Sequence, residues 1–317
     1  MEGKQSTQGL NLYRYPEDEK WRYNPKRRRN RQIAEMSYRD KHYLDFPLHV
    51  IIEPTNRCNM MCQMCLRNVM TRPQGVMEWN VFTRAVDEIA ENPVHSISLY
   101  MLGESMLHPR IRDMVNYVKR MGIAYCDIST NALMDFTCLL GTGLDEIIIS
   151  LDGIDNESYN RNRQGDYWKI EANIMKFLRE KEEGGYEYPF VRLQIIDMES
   201  NRPYLDKFID KWLGKADLVY IKKLEGMAQG LGDKLVLIQE QPERQPCKQL
   251  WYTHNINWNG DHAFCCHDPH GDSVLGNIKD MSISTAWHCK KKMIELTAQG
   301  NHHYCDFCKD CVDWGNW

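Results

Sequence analysis

The chain has 317 residues, 42% of them hydrophobic and 26% charged, with 20 glycines and 12 prolines. That usage excludes collagen-like, low-complexity and wholly disordered chains, and the length allows one large domain with an appendage or two domains. A formal net charge of −4 argues against nucleic-acid binding, which draws on a basic field. No apolar stretch approaches the ~20 residues that span a bilayer.

Residues 1–46 read as a polar extension in which the run Lys26-Arg27-Arg28-Arg29-Asn30-Arg31 comes after Tyr13, Tyr15, Trp21 and Tyr23. Such a charge run is usually a solvated face, while the aromatics point to packing against the rest of the chain. The sharper reading is a lid whose arginines meet a phosphate or carboxylate of a substrate. Met1 to Ser6 lack the apolar core of an export signal, so a reducing, cytoplasmic location is expected.

Residues 47–240 read as alternating strands and helices. The apolar run from Phe46 to Pro54 predicts a strand leading directly to Cys58. Helical spacing of Trp79, Phe82, Val86 and Ile89 predicts a helix, followed by a strand around 97–101 and a helix carrying Ile111, Met114, Val115 and Val118. A strand around 123–129, a weaker helix near Cys138 and a buried strand over 146–151 come next, the last ending in the turn pair Asp152-Gly153. A helix with Tyr167, Ile170, Ile174 and Phe177 on one stripe precedes a strand over 190–196. A helix with Tyr204, Phe208, Ile209 and Trp212 and a strand over 218–223 complete the series. Six strands alternating with helices predict an α/β fold with a parallel sheet. Chemistry in such folds collects at the C-terminal ends of strands. Cys58–Cys65, Gly103-Glu104, Ser129-Thr130-Asn131 and Asp152-Gly153 occupy four successive strand ends.

Twelve cysteines stand out in a chain expected to stay reduced, and their spacing has to assign them. Cys126, Cys138 and Cys289 stand alone and read as small core hydrophobes. Cys58, Cys62 and Cys65 form C-x3-C-x2-C. Three thiolates need a fourth ligand to close a tetrahedral zinc site, whereas on an iron–sulfur cube they leave one iron open to an exogenous chelating ligand. A zinc site completed from elsewhere and a cluster borrowing a distant cysteine are the alternatives. A second crowd comprises Cys247, Cys265, Cys266, Cys305, Cys308 and Cys311. Four of these would fully ligate a cluster; zinc, with His302 and His303 alongside, suits the spacing equally.

The stretch Cys58-Asn59-Met60-Met61-Cys62-Gln63-Met64-Cys65 resembles the cysteine motif of the radical S-adenosylmethionine (radical SAM) family. The resemblance continues through Leu102-Gly103-Glu104-Ser105-Met106-Leu107-His108-Pro109, Ser129-Thr130-Asn131 and Ser150-Leu151-Asp152-Gly153, and departs from the family at Leu102 and Ser105. It implies a partial (β/α)6 TIM-type barrel in which Cys58, Cys62 and Cys65 hold a 4Fe–4S cluster. One electron from that cluster would cleave SAM to methionine and a 5′-deoxyadenosyl radical that abstracts a substrate hydrogen atom. Glu104 would accept the SAM ammonium, Gly103 would permit close backbone approach, Ser129 and Asn131 would reach the ribose, and Ser150 the methionine carboxylate. Arg161 and Arg163 are both open as partners of that carboxylate.

Residues 247–314 resemble the SPASM/twitch auxiliary-cluster region behind some radical SAM cores. The resemblance runs through Cys247-Lys248-Gln249-Leu250-Trp251, Ile256-Asn257-Trp258-Asn259-Gly260, Cys265-Cys266-His267-Asp268 and Cys308-Lys309-Asp310-Cys311. It implies a small C-terminal domain, 241–317, with one auxiliary 4Fe–4S cluster on Cys247, Cys265, Cys308 and Cys311, Cys305 being able to replace one of the last pair. Cys266 and Cys305 are then candidate hydrogen-atom donors to a substrate radical. The expected reaction is dehydrogenation or epimerisation of a carbohydrate, aminocyclitol or nucleotide-linked sugar, with a flavodoxin or ferredoxin as reductant. Maturation of a ribosomally made peptide is the alternative, and a non-enzymatic zinc-binding interaction module is the alternative of another class.

Overall fold

In the computed structural model the described residues are 13–14, 25–92, 96–223, 246–299, 308 and 311, with the side chains of 13–14, 25–31, 223, 297 and 298 not described. The sheet begins with a short strand β1 (Tyr13–Arg14), followed by helix α1 (Pro25–Arg39). The alternating series is β2 (His49–Ile52), α2 (Trp79–Ala90), β3 (Ser96–Leu99), α3 (Ile111–Arg120), β4 (Tyr125–Thr130), β5 (Glu146–Ser150), α4 (Asn156–Asn160), α5 (Tyr167–Glu183), β6 (Phe190–Asp197), α6 (Leu205–Trp212) and β7 (Leu218–Lys223). The C-terminal region adds β8 (Thr253–Ile256), β9 (Asp261–Ala263), β10 (Val274–Asn277) and α7 (Ile283–Ala298).

Strands β2 to β7 lie side by side in chain order, all parallel, as the alternation predicts. Because side chains alternate across a strand, in-register neighbours share a face. Val50, Ile97, Cys126 and, further along, Ile128, Ile147 and Val191 are such neighbours on the face that packs against the helices. The helices return the stripes read from the sequence: α3 buries Ile111, Met114, Val115 and Val118, and α5 buries Tyr167, Ile170, Ile174 and Phe177. Each such apolar side chain removed from water contributes about 1.5–3 kcal/mol. Helix α5 starts where Asp166 accepts the Lys169 N–H and stops at Gly184. The opposite face carries polar neighbours: His49 beside Ser96, Ser98 beside Asp127, and Ser150 beside Gln194.

Among the described residues the sheet has ten strands in the order β1-β7-β6-β5-β4-β3-β2-β8-β9-β10, a partial barrel that leaves β1 and β10 at its two ends. One end is covered by β1, antiparallel to β7, which keeps that edge from presenting free backbone groups. At the other, β8 pairs in parallel with β2, so the barrel sheet runs on into the C-terminal region. The expected boundary at 240/241 lies outside the described residues, as do Cys305, His302 and His303. Helix α1 rests on the C-terminal region: the Tyr38 ring stands edge-on to Trp251 at 5.7 Å, and its hydroxyl donates to Pro246 O at 2.9 Å. The lid reading of Lys26–Arg31 concerns side chains outside those described.

Two expectations are corrected. The helix near Cys138 is a single 3-10 turn, Thr137–Leu139, because only Leu139 points inward. Cys126 is in the core as expected, but Cys138 and Cys289 are exposed. Cys289 faces outward because the buried stripe of α7 runs through Ile283, Ala286, Trp287, Lys290 and Ile294, one residue out of phase with it.

Candidate active site

The chain leaves β2 through Glu53, Thr55 and Asn56, all buried, before reaching Cys58. Thr55 Oγ1 donates to Gly75 O at 2.5 Å, and the Asn56 amide donates to Pro73 O and accepts from Gly75 N at 2.8 Å each. The cysteine loop is thereby fixed at its base. Gly103, at the end of β3, lies against this base. A Cβ there would stand 2.0 Å from Thr55 O and 2.8 Å from Arg57 O, so only glycine fits. The close approach that Gly103 permits is therefore to the loop backbone, sealed by Glu104 N donating to Arg57 O at 2.9 Å.

Glu104 is buried, and its carboxylate is held from three sides. Oε1 accepts from Thr130 Oγ1 at 2.7 Å and from Met106 N at 3.1 Å, and Oε2 accepts from Asn131 N at 2.8 Å. A carboxylate has about four acceptor positions, so one on Oε2 remains for a cation. Burial raises the Glu104 pKa, against the pull of the hydrogen bonds from Asn131, Thr130 and Met106. Ser105, which replaces the family's proline, donates to Leu99 O at 2.6 Å and closes the same turn.

Asn131 turns its amide toward the cysteines: Nδ2 donates to Asn59 Oδ1 at 2.8 Å and lies 3.9 Å from Cys58 Sγ. Ser129 is half-buried, and among the described residues its hydroxyl has no partner. The Ser150 hydroxyl accepts from Gln194 Nε2 at 2.9 Å. Of the two arginines, Arg161 is exposed and pairs with Glu157 at 2.6 Å. Arg163 is buried, ion-paired to Asp152, and its Nη1 is 3.7 Å from Cys62 Sγ. Asp152 also accepts from Ile196 N at 2.6 Å, so the aspartate after β5 anchors a cation beside the cysteine loop. The loop is further tied by Gln63 N donating to Asn162 O at 2.8 Å.

Burial pushes the Cys58 thiol up to about 11, with the Met60 backbone N–H opposing. Burial also raises Cys62, with Arg163 opposing. Buried thiols of this kind ionise when they ligate a metal. Among the described residues, only Cys265, Cys266 and His267 form a group of three metal-ligand atoms within 4.8 Å of one another. Cys58, Cys62 and Cys65 are spread more widely, which suits a cluster with several irons better than a single ion. The free acceptor position of Glu104 and the open hydroxyl of Ser129 beside these thiols fit a ligand with an ammonium and hydroxyl groups.

The second thiol site lies toward the other end of the β2–β8 pair. Cys247 enters the turn Lys248–Trp251 ahead of β8, and Ala263 pairs with Asn255, so Cys265 lies just beyond β9 toward the start of β8. Burial pushes the Cys247 thiol up to about 12, with Cys265 and Cys308 adding to the shift. Cys265 is raised by its hydrogen bond with Cys266 and by burial. Cys266 is buried and accepts from Gln249 Nε2 at 3.2 Å. Cys308 and Cys311 are a turn apart, Cys311 N donating to Cys308 O at 3.4 Å.

Three features at these sites go beyond the motif reading, which named Asp152 and Arg163 but not their pairing. Glu53, fully buried, makes a bidentate pair with Arg72, both contacts 2.6 Å, and also accepts from Leu102 N at 3.3 Å and Trp258 N at 3.2 Å. A carboxylate at a strand end is the signal that marks it. Asp152–Arg163 is the second such pair. Lys290 is the third: its phase with Ile283, Trp287 and Ile294 sets it apart from Lys291 and Lys292.

A partial parallel barrel with one thiol site at its C-terminal edge and another near the start of β8 defines an α/β protein with two candidate metal–thiolate centres. Residues 52–185 match the model of the radical SAM superfamily, and residues 247–312 match SPASM, an iron–sulfur cluster-binding domain. The chain thus carries a radical SAM domain followed by a SPASM domain at its C-terminal end. Its cofactors are SAM, a SAM-binding 4Fe–4S cluster and auxiliary iron–sulfur ligation, which decides the second crowd in favour of iron–sulfur over zinc. The chain is 27% identical to a tungsten-containing aldehyde ferredoxin oxidoreductase cofactor-modifying protein of Pyrococcus furiosus, covering 84% of this chain and 92% of that protein. The fold is shared with BtrN in complex with AdoMet and 2-DOIA, at TM-score 0.58 and 18% identity over 84% of this chain and 93% of that one. It is also shared with Streptococcus suis SuiB bound to precursor peptide SuiA, at TM-score 0.65 and 14% identity over 96% of this chain and 78% of that one. No helix among the described residues is long and apolar enough to cross a membrane.

Proposed function

We propose that the protein dehydrogenates a polar, carbohydrate-like small molecule bound on the concave face of the barrel. Cys58, Cys62 and Cys65 would hold the SAM-binding cluster, and Cys247, Cys265, Cys308 and Cys311 the auxiliary one. Bound together at the first site, cluster and SAM supply a radical that removes a hydrogen atom from an unactivated C–H bond. The chain's residues orient and shelter that chemistry. Glu104 accepts the SAM ammonium on Oε2, Ser129 offers its hydroxyl to the ribose, and Arg163 rather than Arg161 supplies positive charge beside the loop. Asn131 braces Cys58 through Asn59. Ser150 would reach the methionine carboxylate, and Gln194 beside it on the inner face suits a hydroxyl-rich substrate.

The observation that favours dehydrogenation over epimerisation through Cys266 is the position of that residue, the other candidate donor, Cys305, lying outside the described residues. Cys266 is buried beneath Gln249 near the start of β8, away from the strand ends where Cys58–Cys65 lie. The four residues of β8 alone span about 13 Å, too far for a thiol to hand a hydrogen atom to a substrate but suited to an electron acceptor. Anaerobically reconstituted protein with a flavodoxin or ferredoxin as reductant, run in D2O against a panel of sugars, aminocyclitols and nucleotide sugars, tests this. A product lacking a pair of hydrogens and free of solvent deuterium is expected. Solvent deuterium that disappears in Cys266→Ala or Cys305→Ala would overturn it in favour of epimerisation. A peptide substrate is the second reading, taken from the peptide-bound relative that shares the fold.

A further inference from the structure

Lys290 is a buried lysine on α7 whose ammonium has, among the described residues, one hydrogen-bond acceptor, Thr253 O at 2.6 Å. An ammonium carries three donors, and a buried charge is tolerated only where opposite charge compensates it. The aromatic rings of Phe264 and Trp287, with centroids 5.5 and 5.4 Å away, line its other sides. Among the described residues no carboxylate pairs with it. The neighbouring histidine, His254, is buried and pushed well below its ordinary pKa by burial, so it stays neutral and does not compete. Phe264, whose ring Lys290 faces, directly precedes Cys265, and Ile294, one turn along α7 from Lys290, belongs to the apolar cluster against which Cys247, Cys265 and Cys308 pack.

A lysine in the apolar stripe of a helix, where leucine or methionine would pack at no electrostatic cost, is explained if an anion occupies the space beside it. Thiolates bound to an iron–sulfur cluster supply that anion. We propose that Lys290 is the fixed counter-charge of the auxiliary cluster and holds its reduction potential above the value it would have without the ammonium. This rests on the assignment of the second thiol site as the auxiliary cluster. Lys290 is a positioning residue, since it acts on the cluster's electrons through the field and touches no substrate. The reduced cluster carries one more negative charge than the oxidised one, so a buried cation beside it stabilises the reduced form more.

The test uses the full chain with Cys58, Cys62 and Cys65 replaced by alanine, so that only the auxiliary cluster loads and reports. About four irons per chain show, independently of the lysine, that a cluster loads outside Cys58, Cys62 and Cys65. EPR-monitored redox titration then compares this background with Lys290→Met, Lys290→Gln and Lys290→Arg added. The expected result is an at least tenfold smaller equilibrium constant for one-electron reduction in the Met and Gln variants, a shift of about 59 mV to more negative potential. The Gln variant keeps a donor for Thr253 O, and the Arg variant retains the charge and stays near the parent. Unchanged potentials in iron-loaded Met and Gln variants overturn the proposal. So does loss of the cluster in all three variants alike, which would mark a packing role.

Discussion

The guanidinium of Arg163 lies 3.7 Å from Cys62 Sγ and is ion-paired on its other side to Asp152. A buried cation so placed draws the thiol toward thiolate against the effect of burial, and the cation is itself stable only because Asp152 faces it. Arg163→Met therefore removes charge from the cysteine loop and leaves Asp152 buried and unpaired. The expected outcome is a loss of about 3–5 kcal/mol in urea unfolding of the apoprotein, together with reduced iron at the first site. Iron analysis in a Cys247→Ala, Cys265→Ala background reads that site alone. Arg163→Lys is expected to restore part of both, since it keeps the charge but not the fork.

Glu104 gives a pH dependence with two opposite signs. Its pKa is raised in the fold, so the folded protein binds this proton more readily than the unfolded chain does. Its contribution to apoprotein stability is thus fully present at pH below the ordinary carboxylate value and is lost as pH rises through the raised one. Binding of an ammonium needs the ionised form, so SAM affinity moves the other way and falls on acidification, with its midpoint above the ordinary carboxylate range. Equilibrium dialysis of SAM across pH measures this. Glu104→Gln is expected to weaken binding roughly ten- to hundredfold and to flatten the profile.

The Glu53–Arg72 pair joins three parts of the molecule: the end of β2, the segment after the cysteine loop, and Trp258 in the C-terminal region. Removing either partner strands a buried charge, so Arg72→Ala and Glu53→Ala should each cost about 3–5 kcal/mol. The double substitution should cost less than the sum. Hydrogen exchange is expected to rise at the Leu102 and Trp258 amides, which donate to Glu53, in the Glu53 variant. Unchanged protection there would mean the pair does not couple the regions.

Gly103→Ala places a methyl group 2.0 Å from Thr55 O, where backbone rather than a flexible side chain must move. The expected effect is about 1–3 kcal/mol of destabilisation and displaced cysteines, seen as a lower melting temperature and reduced iron at the first site, while the auxiliary site loads normally. Gly122→Ala serves as the contrast: its Cβ meets nothing within 4 Å, although its positive φ brings a modest backbone penalty.

Much of this molecule is written along the chain. The strand series and the stripes of α2, α3, α5 and α6 arise from local periodicity, because each element buries one face whatever its partners are. The family motifs are equally local, since Cys58–Cys65, Gly103-Glu104 and Cys265-Cys266 are short contiguous runs. The tertiary structure decided what depends on distant residues. It distinguished Arg163 from Arg161 because only Arg163 meets Asp152 and Cys62, eleven and a hundred and one positions away. It turned Asn131 toward Asn59, joined β8 to β2 across the chain, and exposed Cys138 and Cys289, which composition alone assigns to the core. It also set Lys290 apart from the two lysines next to it in the chain. Charge and burial are properties of neighbours in space, so a run of three lysines reads as a solvated face until the packing of α7 brings one of them inside.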